Sequence, residues 1–477
     1  MDSNLAFSDY NHLRDLFNSR ALKVIDMLEL FIRRIKEKTH LNAFVEVFVD
    51  KAREQALESD LRFVNKNPRP LEGLIVALKD NILYKGFECT AASDILKGFI
   101  APYNASIVEY LLEAGVIIIG RTNCDEFAMG STGEHSCYGA VLNPLNPEFL
   151  AGGSSSGSAA AVAAGLCTVA LGSDTGGSIR LPASWCGVIG MKPTYGRVSR
   201  YGLIAYANSM DQIGPIARTV DDLAVVLETI IRKDRHDHSM SIKNEGFKYI
   251  KEEYTDVKFI KIKEFDEDPN LNPYQKKAIN DIEVILKSKG YSIDLISFPD
   301  IQHIVKAFQL LSSGEASSNL AKYDGIRYGA SINKGQKPIE IITNNRSALL
   351  GKEPKRKIIF GSYALHSDNY DNYYKKALQY RELIKDFIEK HLQNNHILLT
   401  PTSPIIGAKK GETEEFFEQY SLDFYTVIAN MSGTPSVSIP VGYAKNGLPL
   451  SIQLTGYWAN DNQILNIAQM ICDNISL

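Results

Sequence analysis

A Gly/Ser-rich segment decides the predicted fold: residues 152–158 read Gly-Gly-Ser-Ser-Ser-Gly-Ser and run directly into the small-residue stretch Ala159–Gly165. From residue 152 to residue 178, seven Gly and six Ser occupy 27 positions, whereas the whole chain of 477 residues has 34 Gly. A flexible linker can have such a composition. A domain linker would not, however, lead straight into a predicted helix and the apolar strand Thr168–Leu171. The segment therefore predicts loops that are packed onto a core.

Two catalytic motifs match this segment in part. A phosphate-binding P-loop needs a Lys after its second Gly, and no Lys lies there. Gly153, Ser155 and Gly157 match the G-x-S-x-G elbow of hydrolases, in which a strand must lead into the nucleophile. Here residues 143–147 read Asn-Pro-Leu-Asn-Pro, and two prolines do not fit a central strand. The sequence therefore argues against Ser155 as an elbow nucleophile.

A second Gly/Ser loop ends 24 residues after Ser154. Residues 171–180 read Leu-Gly-Ser-Asp-Thr-Gly-Gly-Ser-Ile-Arg, so that a buried strand runs into a Gly-rich loop containing Ser178. Consecutive N–H groups in such a loop can point into one concavity and stabilise an oxyanion. The alternative is a tight turn in which Ser178 caps a helix. Two such loops flanking one small-residue helix favour the catalytic interpretation.

A catalytic serine needs a base, and histidine is the usual one. The chain has nine His, but none adjoins the two loops, and His135 is the nearest in sequence. Lys79 is the better candidate, because it follows the apolar run Leu74–Leu78 and burial lowers the pKa of a lysine. A neutral amine can then accept a proton. The alternative is a solvated lysine in a surface turn, as most lysines are.

Outside the loops, short apolar runs alternate with helical patterns, which predicts an α/β protein with a large, mixed and mostly parallel sheet. We expect a single domain over residues 1–477, with residues 1–65 helical and residues 230–300 a charged peripheral insertion. Helices are predicted at Ala21–Lys38, Ile107–Ala114, Ala159–Gly165 and Pro273–Lys289. Strands are predicted at Leu74–Leu78, Val116–Ile119, Thr168–Leu171, Tyr291–Ile296, His396–Leu399, Ser436–Val441 and Leu450–Leu454, with Asn446-Gly447 as the turn between the last two.

Composition and charge exclude several classes of protein. Hydrophobic residues make up 44% and charged residues 23% of the chain, as in an ordinary globular protein rather than a disordered or fibrous one. The net charge of −4 argues against a chain that binds nucleic acid on its own. No signal peptide or membrane span is predicted. The six Cys show neither a disulfide framework nor zinc spacing, so we expect reduced thiols and a cytoplasmic protein.

Three of these segments together resemble the amidase signature family, whose members use a Ser–cis-Ser–Lys triad. The segments are Lys79–Asn81, Gly152–Ser155 and Gly172–Arg180, and their spacing, 75 residues from Lys79 to Ser154 and 24 from there to Ser178, is also similar. The resemblance implies the amidase-signature fold, a large mixed sheet covered by helices on both faces. It also implies that Ser178 is the nucleophile, Ser154 the proton relay and Lys79 the base, with a cis peptide before Ser154.

The same resemblance assigns the oxyanion hole to the N–H groups of Thr175, Gly176 and Gly177. One residue departs from the pattern, because Ser156 stands where the family mostly has Gly. This departure adds a side chain beside the relay serine. No metal and no cofactor are implied for this chain.

Longer blocks resemble one branch of that family, the A subunits of the glutamyl-tRNA(Gln) amidotransferases. The blocks are Asp125–Ser131, Pro193–Gly202, Asp211–Pro215 and Glu315–Leu320. The resemblance implies a glutaminase that cleaves the side-chain amide of glutamine through a glutamyl ester of Ser178. The ammonia would pass to a partner chain, the B subunit, which uses ATP and Mg to activate Glu-tRNA(Gln) and holds most of that tRNA. A third chain, the C subunit, would complete the assembly.

Glutamine recognition needs an acid for the α-amino group and a cation for the α-carboxylate. By resemblance the acid is Asp423 and the cation is Arg356, a guanidinium that can bind a carboxylate bidentately. Gly130 and Ser131 are also implied at the substrate. The pattern has two departures: the family typically has two adjacent Arg where this chain has Arg356-Lys357, and Tyr-Tyr where it has Phe308-Gln309.

Three alternatives compete with these assignments. A stand-alone amidase acting on another small or hydrophobic amide would use the same triad with a different pocket, and the departures at positions 308, 309 and 357 favour it. A non-catalytic scaffold is disfavoured because Lys79, Ser154 and Ser178 are all present. For Asp423 the alternative is an ordinary solvated residue on a surface helix.

Overall fold

A sheet of eleven strands lies at the centre of the protein. The computed structural model describes residues 3–240, 246–332, 337–393, 395–412 and 421–475. Within these residues the strands are β1 (Phe44–Val47), β2 (Ile75–Lys79), β3 (Ile117–Thr122), β4 (Val169–Asp174), β5 (Ile189–Lys192), β6 (Gln212–Ala217), β7 (Lys258–Ile262), β8 (Ser292–Ile296), β9 (Ile397–Pro401), β10 (Ser436–Tyr443) and β11 (Pro449–Thr455). Their order across the sheet is β1-β3-β2-β4-β6-β5-β10-β11-β9-β7-β8, so strands from both ends of the chain lie in one sheet.

Helices occupy the connections between the strands. In the described ranges they are α1 (Tyr10–Asn18), α2 (Val24–Glu37), α3 (Val49–Val64), α4 (Ser106–Glu113), α5 (Ser156–Ala163), α6 (Arg180–Cys186), α7 (Val220–Ile230), α8 (Lys263–Asp266), α9 (Pro273–Ser288), α10 (Ile304–Asn319), α11 (Pro338–Leu349), α12 (Lys352–Leu365), α13 (Ser367–Tyr370), α14 (Tyr374–Leu392), α15 (Val427–Ser432) and α16 (Asp461–Cys472). None of the helices in this part of the chain is long and apolar enough to cross a membrane.

The sheet is mixed, as predicted, and its parallel pairs fall in two groups. The strands β3, β2 and β4 are parallel neighbours, and so are β9, β7 and β8. The remaining pairs are antiparallel, so that four of the ten neighbouring pairs in the described residues are parallel. Antiparallel pairs therefore outnumber parallel ones by six to four in the described residues, and short turns can join antiparallel strands only. The predicted turn at Asn446-Gly447 is one of these and joins β10 to β11.

Both faces of the sheet are covered by helices, which explains the continuous apolar runs in the sequence. Successive side chains of a strand point to opposite faces. On β2, Val76 and Leu78 belong to a core that includes side chains of α4, α7 and α16. Ile75 and Ala77 belong to a second core that includes side chains of α2, α5 and α6. The strand that carries Lys79 is thus held from both sides.

The predicted elements are present, with ends within three residues of those expected, but several strands were not predicted. Residues 1–65 are not wholly helical, because the half-buried strand β1 lies among them and pairs with β3 at the sheet edge. β5 and β6 contain Gly or Pro, which weaken a strand pattern. In the charged segment 230–300, β7 and β8 form the opposite edge of the sheet and α9 packs nearby; residues 241–245 of that segment lie outside the described residues.

Candidate active site

Lys79 and Ser173 lie side by side on the neighbouring parallel strands β2 and β4. Leu78 on β2 is opposite Leu171 on β4, so the next residues of both strands reach the same edge of the sheet. Lys79 is completely buried. Its Nζ donates to Ser154 Oγ over 2.7 Å, and lies 3.0 Å from the hydroxyl oxygens of both Ser155 and Ser173. The structure thus brings the predicted base and relay into direct contact.

The pKa of Lys79 lies below the usual value for a lysine. Burial, the largest effect, lowers this pKa to about 8, although the nearby charges of Asp125 and Asp174 raise it. A fraction of the amine is then neutral near pH 7 and able to accept a proton. The desolvation expected from the strand position accounts for the direction of the shift.

The two Gly/Ser loops are joined through their backbones. The Gly153–Ser154 peptide is cis, as the resemblance implies, and Ser155 N–H donates to the Ser178 carbonyl oxygen over 3.0 Å. Ser154 and Ser155 are completely buried, whereas Ser178 keeps 8% of its surface exposed. Of these serines, Ser178 is the one that a substrate can reach.

Ser155 does not have the surroundings of an elbow nucleophile. It precedes α5 rather than following a strand, and its Oγ donates to the Ser173 carbonyl oxygen over 3.1 Å. Ser155 and Ser173 instead orient Lys79, a role that the sequence analysis did not predict. The sequence indicated this role only by placing the two serines next to Ser154 and Asp174. The hydroxyl of Ser156, the residue that departs from the family pattern, has no partner among the described residues, and its Cβ lies close to Gly133.

The loop from Asp174 to Ser178 presents several backbone donors. Gly177 N–H donates to Asp174 Oδ1 over 2.9 Å, and its part in an oxyanion hole stays a prediction. In the part of the chain that the structure describes, the N–H groups of Thr175, Gly176 and Ser178 have no acceptor. These three groups are the donors that an oxyanion could use.

A buried ion pair holds this loop in place. Asp174 and Arg180 are completely buried and are joined by two hydrogen bonds of 3.0 Å. Arg180 also donates to Asn430 Oδ1 and Gln453 Oε1, both over 2.7 Å. Burial raises the pKa of Asp174, but the charge and hydrogen bonds of Arg180, with the amide of Asn430, outweigh it and lower this pKa to about 2. Sequence reasoning missed the pair, although an acid and a base within one Gly-rich turn were a signal for it.

Asp423 lies beside the same loop. Ser131 Oγ donates to Asp423 Oδ1 over 2.9 Å, which joins two of the residues predicted at the substrate. Thr426 donates to the Gly176 carbonyl oxygen over 2.5 Å, so the segment that carries Asp423 packs on the catalytic loop. Burial raises the pKa of Asp423 to about 7, while Ser131 and the charge of Lys357 lower it. The solvated alternative for Asp423 is wrong, because the residue is only 8% exposed.

Gly130 packs against a buried carboxylate. A Cβ added to Gly130 would lie 2.6 Å from Asp125 Cγ. Asp125 also accepts the N–H groups of His135 and Gly133 over 2.9 and 3.1 Å. These contacts fix the turn that carries Ser131, while a contact of Gly130 itself with substrate stays a prediction.

Arg356 and Lys357, on α12, differ in how deeply they are buried. Lys357 is buried, its Nζ donates to Gln309 Oε1, and it lies 5.9 Å from the centre of the Tyr206 ring. Arg356 donates to Glu353 Oε2 over 3.0 Å and lines an open surface cavity of about 680 Å³. Adjacent positions on a helix differ by about 100°. The two cations nevertheless approach the same buried carboxylate, since Lys357 Nζ lies 4.0 Å from Glu353 Oε1.

Phe308 and Gln309, the other departures from the family pattern, lie on α10 near the catalytic loop. A Cβ added to Gly176 would lie 2.5 Å from Phe308 Cζ, so the ring covers the loop directly. In the described residues, no group of three His, Cys, Asp or Glu could hold a metal ion, and all six Cys are unpaired thiols.

The fold and the site together define the class of this protein: the chain belongs to the amidase family. The family model, described as Amidase, matches residues 26–465. That span contains Lys79, both Gly/Ser loops and Asp423.

Within the family, the chain is similar to A subunits of amidotransferases. It is 43% identical over 462 residues to the A subunit of the glutamyl-tRNA(Gln) amidotransferase of Thermoanaerobacter pseudethanolicus, with 96% of this chain and 94% of the relative covered. The crystal structure of the A subunit of the Thermotoga maritima glutamyl-tRNA(Gln) amidotransferase matches with a TM-score of 0.78 and 33% identity, over 96% of this chain and 95% of the other. The peptide amidase of Stenotrophomonas maltophilia matches with a TM-score of 0.80 and 25% identity, over 98% and 97%.

Proposed function

We propose that the chain is the glutaminase subunit of a tRNA-dependent amidotransferase. It hydrolyses glutamine and supplies the ammonia that converts Glu-tRNA(Gln) to Gln-tRNA(Gln) on a partner subunit. The observation that carries the proposal is the 2.7 Å hydrogen bond between the buried Lys79 Nζ and Ser154 Oγ, next to the loop that contains Ser178. The similarity over 96% of the chain to an A subunit of that enzyme supports glutamine as the substrate.

The reaction begins with proton transfer along the three side chains. Neutral Lys79 accepts the hydroxyl proton of Ser154, which takes the hydroxyl proton of Ser178. Ser178 Oγ forms a bond to the side-chain carbonyl carbon of glutamine, and the N–H groups of Thr175 and Gly176 stabilise the resulting oxyanion. When the C–N bond breaks, the proton returns through Ser154 to the leaving nitrogen, which departs as ammonia. Water then cleaves the glutamyl ester by the same proton route and releases glutamate.

The α-amino group of glutamine would bind Asp423, which Ser131 orients. An ammonium group beside Asp423 favours its ionised form and so opposes the effect of burial on its pKa. For the α-carboxylate, Arg356 was the cation expected from the resemblance. Lys357 is a second candidate, because it is buried and its charge acts on Asp423; both cations also lie within 4.0 Å of Glu353.

The chain would act in the cytoplasm together with amidotransferase subunits B and C. The B subunit would bind ATP, Mg and most of Glu-tRNA(Gln), so that no cofactor is required in this chain. The net charge of −4 supports this division, because RNA binding needs a basic surface that a partner chain can supply.

A stand-alone amidase acting on another small or hydrophobic amide is the second candidate. Two observations favour it. Gln309 and Lys357 stand where the A subunits typically have Tyr and Arg, and the fold matches that of a peptide amidase with a TM-score of 0.80.

Ammonia release from glutamine by the full-length chain, co-expressed with candidate B and C subunits, tests the proposal. We expect equal amounts of ammonia and glutamate, and Gln-tRNA(Gln) when Glu-tRNA(Gln) and ATP are added. The Ser178→Ala variant should release no ammonia, while the matched variant Ser288→Ala, at the exposed end of α9, should behave as the unaltered chain. Ammonia released from other amides and not from glutamine would overturn the proposal in favour of the stand-alone amidase.

A further inference from the structure

Asp211 is a buried carboxylate that takes no part in the proton transfer at the triad. It immediately precedes β6, whose first residue, Gln212, lies opposite Asp174 at the end of β4. Because the two strands are antiparallel, the residue after Asp174 meets the residue before Gln212. Thr175, in the loop that leads to Ser178, therefore lies next to Asp211.

A short hydrogen bond joins these two side chains. Thr175 Oγ1 donates to Asp211 Oδ1 over 2.6 Å, and Thr175 and Asp211 are only 1% and 2% exposed. Hydrogen bonds to a charged acceptor are shorter and stronger than those between neutral groups. The contact thus holds Thr175 in place, and with it the Thr175 N–H, which has no acceptor in the described part of the chain.

Asp211 is itself held by neighbouring backbone. Tyr206 N–H donates to Asp211 Oδ2 over 2.9 Å, and Ala207 N–H lies 3.1 Å from both carboxylate oxygens. Tyr206 is fixed in turn, because its hydroxyl donates to Ser312 Oγ on α10 over 3.1 Å and its carbonyl oxygen accepts from Asn319 Nδ2 over 3.1 Å. Both oxygens of Asp211 accept hydrogen bonds, as an ionised carboxylate does. The acceptor for Thr175 is therefore connected to a helix outside the catalytic loop.

The contact is costly if it serves stability alone. Asp211 forms no ion pair with any residue that the structure describes, whereas Asp174 pairs with Arg180. A buried carboxylate without a cation costs free energy. Replacing a buried donor and acceptor together by apolar groups of the same shape can be nearly neutral for stability. A polar pair beside an oxyanion donor therefore points to a role in catalysis.

We propose that Asp211 is a positioning residue for the oxyanion hole. By accepting the hydrogen bond of the Thr175 hydroxyl, it directs the Thr175 N–H at the oxygen of the scissile amide, where negative charge develops when Ser178 attacks. Asp211 itself does not touch the substrate. This inference rests on the acyl transfer at Ser178 in the proposed function, and it applies to any amide that Ser178 attacks.

Two substitutions of Thr175 test the contact. Thr175→Val removes the hydroxyl but keeps the N–H and the shape of the side chain, whereas Thr175→Ser keeps the hydroxyl. The assay is ammonia release from glutamine by the full-length chain with its partner subunits. We expect Thr175→Val to lower kcat about tenfold to a hundredfold, as for a misplaced catalytic group, with little change in KM. Thr175→Ser should retain most of the rate. An unchanged KM also shows that each variant is folded.

Asp211→Asn removes the charge of the acceptor and should lower kcat to a similar extent. The variants are compared at pH 9, because the charge of Asp211 also raises the pKa of Lys79. At that pH Lys79 is mostly neutral with or without this charge. An effect of Asp211→Asn through Lys79 would favour the neutral amine and could not lower the rate.

A double-mutant cycle tests whether Asp211 acts through Thr175. The variant that combines Thr175→Val with Asp211→Asn should be no slower than the slower of the two single variants, since both changes break the same contact. Thr255→Val and Asp256→Asn, at adjacent exposed positions, are the matched controls and should behave as the unaltered chain. If Asp211→Asn does not fold, the comparison of Thr175→Val with Thr175→Ser still decides the question.

Two results would overturn the inference. One is that Thr175→Val keeps the kcat of the unaltered chain; the other is that the effects of Thr175→Val and Asp211→Asn simply multiply. Failure of the proposed function gives a different result, because the unaltered chain would then release ammonia from another amide and none from glutamine. The same variants would then be compared with that amide.

Discussion

Raising the pH from 7 to 9 should increase kcat for glutamine hydrolysis about tenfold. Burial lowers the pKa of Lys79 to about 8, and only the neutral amine can accept the proton that Ser154 passes on. For one group of this pKa, about one-eleventh is neutral at pH 7 and about ten-elevenths at pH 9. Protonation of Lys79 at low pH therefore removes activity, and deprotonation at high pH restores it.

The assay is ammonia release at saturating glutamine, where kcat reports groups in the enzyme–substrate complex. KM is measured separately, because burial lowers the pKa of Lys357 to about 8, while Glu353 and Asp423 raise it and Arg356 lowers it. Lys357 thus loses its charge in the same pH range. We expect KM for glutamine to rise above pH 8 while kcat is still rising.

A kcat that stays constant from pH 7 to pH 9, or that rises with a midpoint below pH 6, would refute this reasoning. A carboxylate or a histidine would then be the base. The Lys79→Ala variant is the control: its rate should be severely reduced at every pH, and its profile should show no midpoint near pH 8.

Three further substitutions test other parts of the site. Arg180→Met should lower the free energy of unfolding by about 3–5 kcal/mol, because it leaves Asp174 buried and charged without its partner; an unchanged denaturant midpoint would contradict this. Gly176→Ala should reduce kcat, since the added Cβ would lie 2.5 Å from Phe308 Cζ, and the second change Phe308→Leu should restore part of the rate; if it restores none, the collision is not the cause. Asp423→Asn should raise KM for glutamine about tenfold to a hundredfold through loss of a charged hydrogen bond; a fall in kcat at unchanged KM would exclude Asp423 from binding the amino group.

The central strands could be predicted from the sequence because they are buried on both faces. The sequences of β2 and β3 begin with continuous apolar runs. Runs this short are typical of buried strands, since helices are usually longer. The edge strand β1 could not, because its four half-buried residues include Glu46 and follow a helical pattern. The proportion of parallel to antiparallel pairs could not be predicted from the sequence either, since it depends on which strands become neighbours across the sheet.

The catalytic loops could be predicted because each is a contiguous segment, and its many Gly and Ser residues indicate a tight loop. Lys79 could be placed because it ends a buried strand. The choice between Arg356 and Lys357 could not be made in this way, because it depends on how α12 is rotated against α10. The same is true of Gly177, whose N–H donates to Asp174; the conformation of the loop, rather than its composition, determines which donors are available.

Mass spectrometry of the full-length chain, acid-quenched during glutamine turnover, tests the central claim most directly. We predict one glutamyl group on the peptide that contains Ser178, attached to Ser178 itself, and none in a folded Ser178→Ala variant that also releases no ammonia. A glutamyl group on Ser154 or Ser155, or continued ammonia release by the Ser178→Ala variant, would contradict the assignment of Ser178 as the nucleophile.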